Sequence, residues 1–362
     1  MKKRIISAML TCIITLTLVA CSSNSANVTT NKSTETKDNK EETSLDTKKT
    51  YELSFVIPGT DSQYWNQYCG TGVDNAIIDI EEKYDVTINK ILTGPAAEGA
   101  TDEYLNILEG VIAKKPDVII TATMEGEGTA PIIKEAAKEG IFVNMFSLGI
   151  IDGYEEYYGA LYYCDQPEQG KIAAEEIIRQ LKEKNIPLKG YIGMHLATST
   201  PVLEEKMQTF LSRMAELAPD IKVLGTLYNQ NDVNTAQANV ENQISAYGDE
   251  LIGLFGGNNL SGDGIVLAVK NAGIAAKIAS VAVDSDDIEI TGLKEGNLGG
   301  IIVQTPYDQA YHATYDALAY VIDGNEITEN AYNYPADVVT LANMDETEYA
   351  ALLDPTILAY KK

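Results

Sequence analysis

Short apolar runs alternate with longer amphipathic stretches from Tyr51 to about residue 340. In the first part of this region, runs rich in β-branched and aromatic residues predict strands over 52–58, 86–92, 117–121 and 142–146. Apolar residues at helical spacing between these runs predict helices over 64–83, 102–114 and 129–139. The predicted order is therefore strand and helix in strict alternation.

The same alternation restarts near residue 190. Strands are predicted over 190–194, 221–228, 251–255, 278–283 and 300–303, and helices over 201–217, 233–246, 261–272 and 288–295. Uniformly apolar strands separated by helices indicate parallel sheets that are covered on both faces and joined by right-handed crossovers. Because this region is longer than one typical core, the predicted fold class is α/β with two doubly wound parallel-sheet lobes.

The first 21 residues have a different pattern. Lys2, Lys3 and Arg4 precede an apolar run over 5–20, which is typical of a secretory signal peptide. The run ends in Leu-Val-Ala-Cys21, which resembles the bacterial lipobox and implies cleavage before Cys21 and lipid on its thiol. We therefore predict a lipoprotein signal peptide over 1–20 and an extracytoplasmic protein anchored to the bacterial cell membrane by lipidated Cys21. The alternative is an uncleaved membrane anchor.

The segment that follows is polar. Residues 22–49 contain Ala26, Val28 and Leu45 as their apolar side chains, among Ser, Thr, Asn, Lys and Glu. Such a stretch cannot bury enough surface to offset the entropy lost on ordering. A flexible linker is therefore predicted over 21–50.

Composition and charge narrow the class of protein. The chain has 27 Lys and Arg against 53 Asp and Glu, a net charge of -26, and 45% apolar residues. This balance indicates a soluble globular domain and argues against nucleic acid or anionic lipid headgroups as partners. His195 and His312 do not fall in a metal-ligand spacing, so no metal or cofactor is predicted. No nucleophile and base can be paired from the sequence, so an enzyme is not supported.

One glycine-rich loop raises a rival interpretation. Gly126 and Gly128 follow a predicted strand and open a helix, as in a dinucleotide-binding loop. However, Pro131 stands where that loop needs a small residue, and Glu125 and Glu127 would repel a pyrophosphate. The match is therefore weak.

Aromatic and amide residues at predicted strand ends suggest a ligand instead. A neutral sugar presents hydroxyls at its rim and apolar C–H faces, so its site needs aromatic plates together with amides and carboxylates. Tyr64 and Trp65 could supply the plate, and Asn258, Asp284 and Gln304 the polar rim. The structural alternatives are core packing for Trp65, a helix cap for Asp284 and a turn for Asn258.

The order of these motifs resembles a known family. The segments quoted are Pro58-Gly-Thr-Asp-Ser-Gln-Tyr-Trp65, Gly190-Tyr-Ile-Gly-Met-His195, Phe255-Gly-Gly-Asn-Asn259, Val281-Ala-Val-Asp284, Ile302-Val-Gln-Thr-Pro306 and Asn333-Tyr-Pro-Ala-Asp337. With the lipobox, the linker and two lobes, they resemble the type I periplasmic binding proteins of the ribose and galactose class. These are the solute-binding subunits of bacterial ABC importers. The resemblance covers the chain from about residue 51 to about residue 340.

This resemblance implies three crossings between lobes, near 164–165, 304–305 and 337–338. The N-terminal lobe would contain 51–164 and 305–337, the C-terminal lobe would contain 165–304 and 338–362, and the ligand would be trapped by closure. The ligand-binding residues implied by position are Asp61, Tyr64, Trp65, Phe146, Ser147, Thr200, Glu204, Asn258, Asp284 and Gln304.

The sequence departs from the family where sugar binders usually carry Arg. Those positions read Phe146-Ser147 and Glu204, and the arginines after residue 20, Arg179 and Arg213, lie in predicted helices. The lack of a cleft guanidinium argues against an anionic ligand. Glu204, Glu125 and Asp284 beside aromatic rings would suit a cation, although solvated surface is the better-supported interpretation of the two glutamates.

We therefore predict a monomeric lipoprotein that traps a small neutral ligand, above all a monosaccharide, and delivers it to an ABC permease. A receptor of the same fold that serves a membrane sensor is an alternative. A nucleoside or a cationic amine is the alternative ligand.

Two cysteines remain in the folded region. A disulfide between Cys69 and Cys164 is allowed outside the cytoplasm. Such a bridge would join the first helix to a crossing segment and oppose closure. Two buried free thiols are therefore predicted, with the disulfide as the alternative.

Overall fold

The computed structural model of the protein describes residues 48–360. The predictions for the signal peptide, for Cys21 and for nearly all of the linker lie outside the described residues. None of the helices within residues 48–360 is long and apolar enough to cross a membrane.

Strands and helices alternate along most of the described chain. The strands are β1 Thr50–Val56, β2 Thr87–Thr93, β3 Val118–Thr121, β4 Phe142–Phe146, β5 Leu161–Cys164, β6 Gly190–Leu196, β7 Ile221–Val223, β8 Leu227–Tyr228, β9 Leu251–Gly256, β10 Ala279–Val283, β11 Gly300–Val303, β12 Ala331–Tyr334 and β13 Asp337–Val339. The helices are α1 Gly70–Tyr84, α2 Thr101–Ile112, α3 Gly126–Lys138, α4 Gln166–Glu183, α5 Pro201–Leu217, α6 Val233–Tyr247, α7 Asn259–Ala272, α8 Asp287–Glu295, α9 Pro306–Asp323 and α10 Thr347–Leu353. A π-helical turn over Tyr64–Cys69 leads directly into α1.

The strands form two sheets. The first has the order β12-β5-β4-β3-β1-β2, and the second has the order β13-β11-β10-β9-β6-β7 with β8 paired to β6. Strand β13 runs antiparallel to β11, and the other pairings are parallel. The predicted α/β class with two sheets of mostly parallel strands is therefore confirmed.

Both faces of the first sheet are covered by helices. Phe55 packs in a core with Val73 of α1 and Ala317 of α9, whereas its neighbour Val56 packs with Leu108 of α2 on the opposite face. Successive strand residues point to opposite faces, so a strand buried on both sides has to be apolar throughout. This explains why the strands read as continuous apolar runs.

The described chain passes three times between the sheets. It leaves the first sheet after β5, returns to it after β11, and runs from β12 in the first sheet to β13 in the second. We call the first sheet with α1–α3 and α9 the first lobe, and the second sheet with α4–α8 the second lobe. The first two connections include the predicted positions 164–165 and 304–305, whereas the third covers 335–336, just before the predicted 337–338. The assignment of these segments as hinges stays a prediction.

The C-terminal segment differs from the predicted boundary, which placed all of 338–362 in the second lobe. Leu353 packs in the second-lobe core. Beyond it, the backbone turns towards α1, where Asn75 Nδ2 donates to the Leu358 carbonyl at 2.8 Å and Asn75 Oδ1 accepts from the Tyr360 amide at 3.0 Å. The buried amide of Asn75 is satisfied by this contact, so the segment touches both lobes.

Two further differences concern the elements themselves. Helices α4 and α9 were not among the predicted helices, although each follows a crossing segment. The predicted strand over 221–228 is two short strands, β7 and β8, because the chain leaves the sheet edge between them. Cys69 and Cys164 are buried and unpaired, as predicted.

Helices α1 and α9 approach closely at one glycine. A Cβ atom on Gly72 of α1 would lie 2.3 Å from the carbonyl oxygen of Tyr307 at the start of α9. Glycine therefore allows this helix pair to pack, and a larger side chain would force the two helices apart.

We expect Gly72→Ala to lower the free energy of unfolding by about 1–3 kcal/mol, because overpacking a tight contact strains the backbone. Gly110→Ala on α2 is the matched control, since nothing lies within 4 Å of its added Cβ atom. The control should raise stability by about 0.5–1 kcal/mol through helix propensity. Urea denaturation of both variants measures these changes, and equal effects would contradict the close contact.

Candidate ligand-binding site

A chamber lies between the lobes at the carboxyl ends of the strands. Ligands of doubly wound sheets bind at this edge, because the loops after parallel strands converge there. The residues that line the chamber are Ser62, Tyr64, Trp65, Glu98, Met124, Ser147, Leu148, Gln166, Ala197, Leu203, Lys206, Gly257, Asn258, Asn259, Asp284 and Gln304.

Aromatic rings form the first-lobe wall of the chamber. Tyr64 and Trp65 meet edge to face, with 4.6 Å between ring centroids. The Tyr64 hydroxyl lies 3.1 Å from Ser147 Oγ, which fixes the ring. Trp65 also packs against Phe146 at 6.0 Å between centroids and is 4% exposed. Trp65 therefore belongs to the first-lobe core and also lines the chamber, and its contact with a ligand stays a prediction.

A hydrogen-bonded polar pair forms the second-lobe wall. The Gln304 amide donates to the carboxylate of Asp284, and Gln169 Nε2 donates to Gln304 Oε1 at 3.3 Å. Burial raises the pKa of Asp284, while the positive charge of Lys206 opposes that rise. The helix-cap alternative for Asp284 is not what the structure has, because Asp286 caps α8.

Backbone strain also marks the chamber. Asp284 has a φ angle of 79° and Ser147 has one of 58°, and both lie in the left-handed region that non-glycine residues rarely adopt. Such conformations cost of order 1–3 kcal/mol each and cluster at ligand sites. Here they aim the two side chains into the chamber.

Two buried polar atoms of the chamber have no hydrogen-bond partner among residues 48–360. They are Ser62 Oγ and Gln166 Oε1. Buried polar atoms are nearly always paired, since an unpaired one costs about 1–3 kcal/mol. Hydroxyl groups of a ligand could supply these two missing partners.

Sequence reasoning missed the chamber's lysine. Lys206 is 1% exposed and its Nζ donates to the Gly257 carbonyl at 2.8 Å. Burial lowers the pKa of Lys206 to about 8, although the charge of Asp284 opposes that shift. The sequence did contain a sign of this buried lysine, because Lys206 lies on the apolar face of α5 between Leu203 and Phe210.

Sequence reasoning also missed Glu98, which lies in the loop after β2. Burial raises the pKa of Glu98 to about 7, the Ser62 hydroxyl lowers it, and the charge of Asp284 raises it further. No motif surrounds this residue, so only its position between the lobes identifies it.

Four predicted ligand-binding residues lie outside the chamber. Phe146 is fully buried, because its side chain points into the first-lobe core beside Phe55. Asp61 lies at the exposed rim, where it accepts from the Glu98 amide at 3.0 Å. Thr200 caps α5, and Glu204 on the next turn accepts a 2.6 Å hydrogen bond from Tyr228. Six others line the chamber: Tyr64, Trp65, Ser147, Asn258, Asp284 and Gln304.

The remaining polar candidates have structural roles. Glu125 caps α3 by accepting from the Gly128 amide. His195 is buried and its Nε2 lies 3.0 Å from the side-chain oxygen of Gln243. In the described part of the chain, no group of three or more His, Cys, Asp or Glu side chains could hold a metal ion.

The family of the protein follows from its sequence. Residues 53–326 match the family model of the periplasmic binding protein domain. The chain belongs to this family, and the prediction of a type I periplasmic binding protein is confirmed.

The individual relatives share only a low sequence identity with this chain. A carbohydrate transporter solute binding protein from Agrobacterium radiobacter, solved in complex with D-arabinose, is 25% identical, with a TM-score of 0.73 over 84% of this chain and 99% of that one. One from Agrobacterium vitis bound with alpha-D-tagatopyranose is 23% identical, with a TM-score of 0.73 over 84% and 99%. The D-xylose-binding periplasmic protein of Escherichia coli (strain K12) is 22% identical over 205 residues, which are 55% of this chain and 58% of that protein. These relatives are binding proteins rather than enzymes, so the prediction of a non-enzymatic protein is confirmed.

Below the chamber, the second lobe brings three carboxyl groups together, and two of them are buried. Asp263 and Glu289 are 3% and 0% exposed, and Asp286 accepts from the Glu289 amide at 3.1 Å as the cap of α8. Burial raises the pKa of Asp263 to about 9, and the charge of Asp286 adds to that rise. Burial likewise raises the pKa of Glu289. Both shifts favour the protonated, neutral form of these two carboxyl groups in the folded protein.

We expect the free energy of unfolding to fall as pH rises between about 5 and 8. A carboxyl whose pKa is raised on folding binds more protons when folded, so each such group contributes a slope of up to about 1.4 kcal/mol per pH unit in this window. Asp263→Asn removes one titrating group, so the free energy of unfolding should depend less steeply on pH. The variant should also gain more stability relative to the wild type at pH 8 than at pH 5. Urea denaturation across this range tests both statements.

The exposed Glu139 offers a control for this experiment. Its pKa is lowered by the hydrogen bond from Lys115, so Glu139→Gln should leave the slope in this window unchanged. A wild-type profile that is level between pH 5 and 8 would contradict the protonated cluster.

Proposed function

We propose that the protein is an extracytoplasmic binding protein that traps a neutral monosaccharide in the chamber between its lobes. The observation that carries this proposal is the combination of the Tyr64 and Trp65 rings on one wall with the Asp284 and Gln304 pair on the other. A sugar ring has apolar faces and a hydroxyl rim, which these two walls complement.

The relatives support the same ligand class. The proteins solved with D-arabinose and with alpha-D-tagatopyranose bind monosaccharides, and the Escherichia coli relative binds D-xylose. We carry over from these relatives the class of ligand and not the particular sugar, because their sequence identities to this chain are low.

The charge of the chamber favours a neutral ligand over an anion. Lys206 is the cation of the chamber, but its Nζ is engaged by the Gly257 carbonyl and it faces Asp284. Glu98 adds a second carboxyl on the opposite wall. An anionic ligand would meet more negative than positive groups there and would lose its hydration without a free cationic partner.

We propose that ligand binding closes the two lobes about the three connecting segments. The lobes are proposed to contain 51–164 with 305–337 and 165–304 with 338–362, apart from the C-terminal contact with α1. Thr305 lies in the connection after β11 with a φ angle of 50°. A few residues at the ends of elements are sufficient for such hinge bending.

Anchoring and delivery complete the proposal. Lipid on Cys21 would hold the protein at the outer surface of the cell membrane through the linker, as a monomer. From there the closed, liganded form would reach the permease of an ABC importer. The signal peptide and lipobox pattern support the first step, and membership of the family supports the second.

We expect at least one neutral pentose or hexose to raise the melting temperature, because a ligand that binds the folded state stabilises it. Asp284→Asn should weaken the affinity for that sugar by about 5- to 150-fold, since an unmade hydrogen bond in a closed site costs about 1–3 kcal/mol. Thermal-shift screening identifies the sugar, and calorimetric titration measures the change.

Glu204→Gln is the matched control for Asp284→Asn. Glu204 is a carboxylate of the same lobe that lies outside the chamber, so its replacement should leave the affinity unchanged. If Asp284→Asn binds the sugar as tightly as the wild type does, Asp284 is not a ligand-binding residue.

We expect Cys21→Ala to release the protein from the membrane while the domain stays folded, because the lipid requires the thiol. Fractionation of cells that produce the variant, followed by immunoblotting, measures its distribution. Ser22→Ala serves as a control that keeps the thiol. Membrane recovery of Cys21→Ala equal to that of the wild type would exclude the lipid anchor.

A further inference from the structure

A second cavity adjoins the chamber at one mouth of the cleft. We call it the acidic groove, and it has a volume of ≈ 330 Å³. Both lobes contribute to its lining, which consists of Asp61, Ser62, Gln63, Ala97, Glu98, Asn231, Asn259, Leu260, Asp286, Asp287 and Ile288. Ser62, Glu98 and Asn259 line the chamber as well, so the two cavities adjoin at these residues.

The lining of the acidic groove is strongly one-sided in charge. It carries four carboxyl groups and no Lys or Arg. None of the four forms an ion pair within residues 48–360. A concave surface lined by one sign of charge concentrates ions of the opposite sign. The groove therefore attracts a cation.

Two of the four carboxyl groups have internal roles. Asp61 accepts a hydrogen bond from the Glu98 amide, and Asp286 caps α8. Glu98 and Asp287 have no such role, since Glu98 faces both cavities and Asp287 is exposed at the groove rim. These two side chains are free to bind a ligand.

An independent observation also points to a ligand here. Ser62 is 9% exposed and lines both the chamber and the groove. Its hydroxyl lies near the Glu98 carboxyl, whose pKa it lowers, but its Oγ forms no hydrogen bond of normal geometry in the described chain. A hydroxyl in this position can accept a hydrogen bond from a donor that passes from one cavity to the other. A protonated amine is such a donor.

We propose that the acidic groove is a subsite for a cationic amine group carried by the same ligand whose sugar ring occupies the chamber. The ligand class is then an amine-bearing sugar, and Glu98 and Asp287 are the residues that select the amine. This inference rests on the proposed function, because it places the ring of the ligand in the chamber.

The test is calorimetric titration at pH 7 with three amino sugars, D-glucosamine, D-galactosamine and D-mannosamine. Each is compared with its neutral 2-hydroxy counterpart and with its N-acetyl derivative, which keeps the nitrogen but loses the charge. We expect at least one amino sugar to bind about tenfold or more tightly than its hydroxy counterpart, since charge-assisted hydrogen bonds are the stronger ones. The N-acetyl derivative should lose that advantage.

Variants identify the groups that select the amine. Glu98→Gln and Asp287→Asn should each reduce the ratio of amine to hydroxy affinity several-fold. Glu127→Gln is the control, because it removes an exposed carboxylate beside the opposite mouth of the cleft, and it should leave the ratio unchanged. Ratios that stay the same in both groove variants would overturn the assignment of Glu98 and Asp287.

The pH dependence provides a further readout. The carboxyl groups that act on Glu98 are Asp284 and Asp61, and burial raises its pKa to about 7. As pH rises from 5.5 to 7, the ionised fraction of Glu98 increases, so the ratio of amine to hydroxy affinity should rise in the wild type and stay level in Glu98→Gln. A level ratio in the wild type would contradict the role of Glu98.

The outcomes separate this subsite from the proposed function. Neutral sugars that bind without any preference for the amine would overturn the subsite and leave the sugar chamber intact. Binding of the amino sugars alone would support the subsite and contradict a neutral ligand. If neither series binds while another neutral pentose or hexose raises the melting temperature, the subsite is wrong and the sugar chamber stands. If no sugar of either kind binds, both proposals are wrong.

Discussion

The covering of both sheets by helices is the constraint on which the rest of the structure depends. Strand β9, for example, is buried along its whole length and consists of apolar residues and glycine. The polar side chains that line the chamber lie beyond the ends of the strands, on loops and helices. Because all strands but one run in parallel within their sheets, these ends gather the loops of each lobe at one edge. The chamber between the lobes is a consequence of this arrangement.

The packing of the first lobe and the shape of the chamber share residues. Trp65 contacts Phe146 in the core with one part of its ring and lines the chamber with another. The hydrogen bond from Tyr64 to Ser147 joins the first helix to the end of β4. The aromatic wall is therefore held by the core rather than by a mobile loop, which lowers the entropy lost when a ligand binds.

The electrostatics of the second lobe follow from burial. Asp284 lies beside Lys206 at the chamber, whereas Asp263 and Glu289 lie beneath it without a cation. A buried carboxyl without a positive partner favours its protonated form, so burial weakens the formal negative charge of this region. The groove beside the chamber differs, because Asp61 and Asp287 in its lining are exposed to solvent.

The sequence by itself determined the alternation of strands and helices, the two lobes and the strand-end positions of Trp65, Asp284 and Gln304, because periodicity and turn residues are local properties. The tertiary structure decided which strand-end side chains face the chamber. Phe146 was expected at the chamber, but its side chain points into the first-lobe core. The direction of a side chain at a strand end depends on how the helices cover that strand. Lys206 and Glu98 enter the chamber from a helix face and a loop. Distances between lobes are set by long-range packing, which no local pattern in the sequence records.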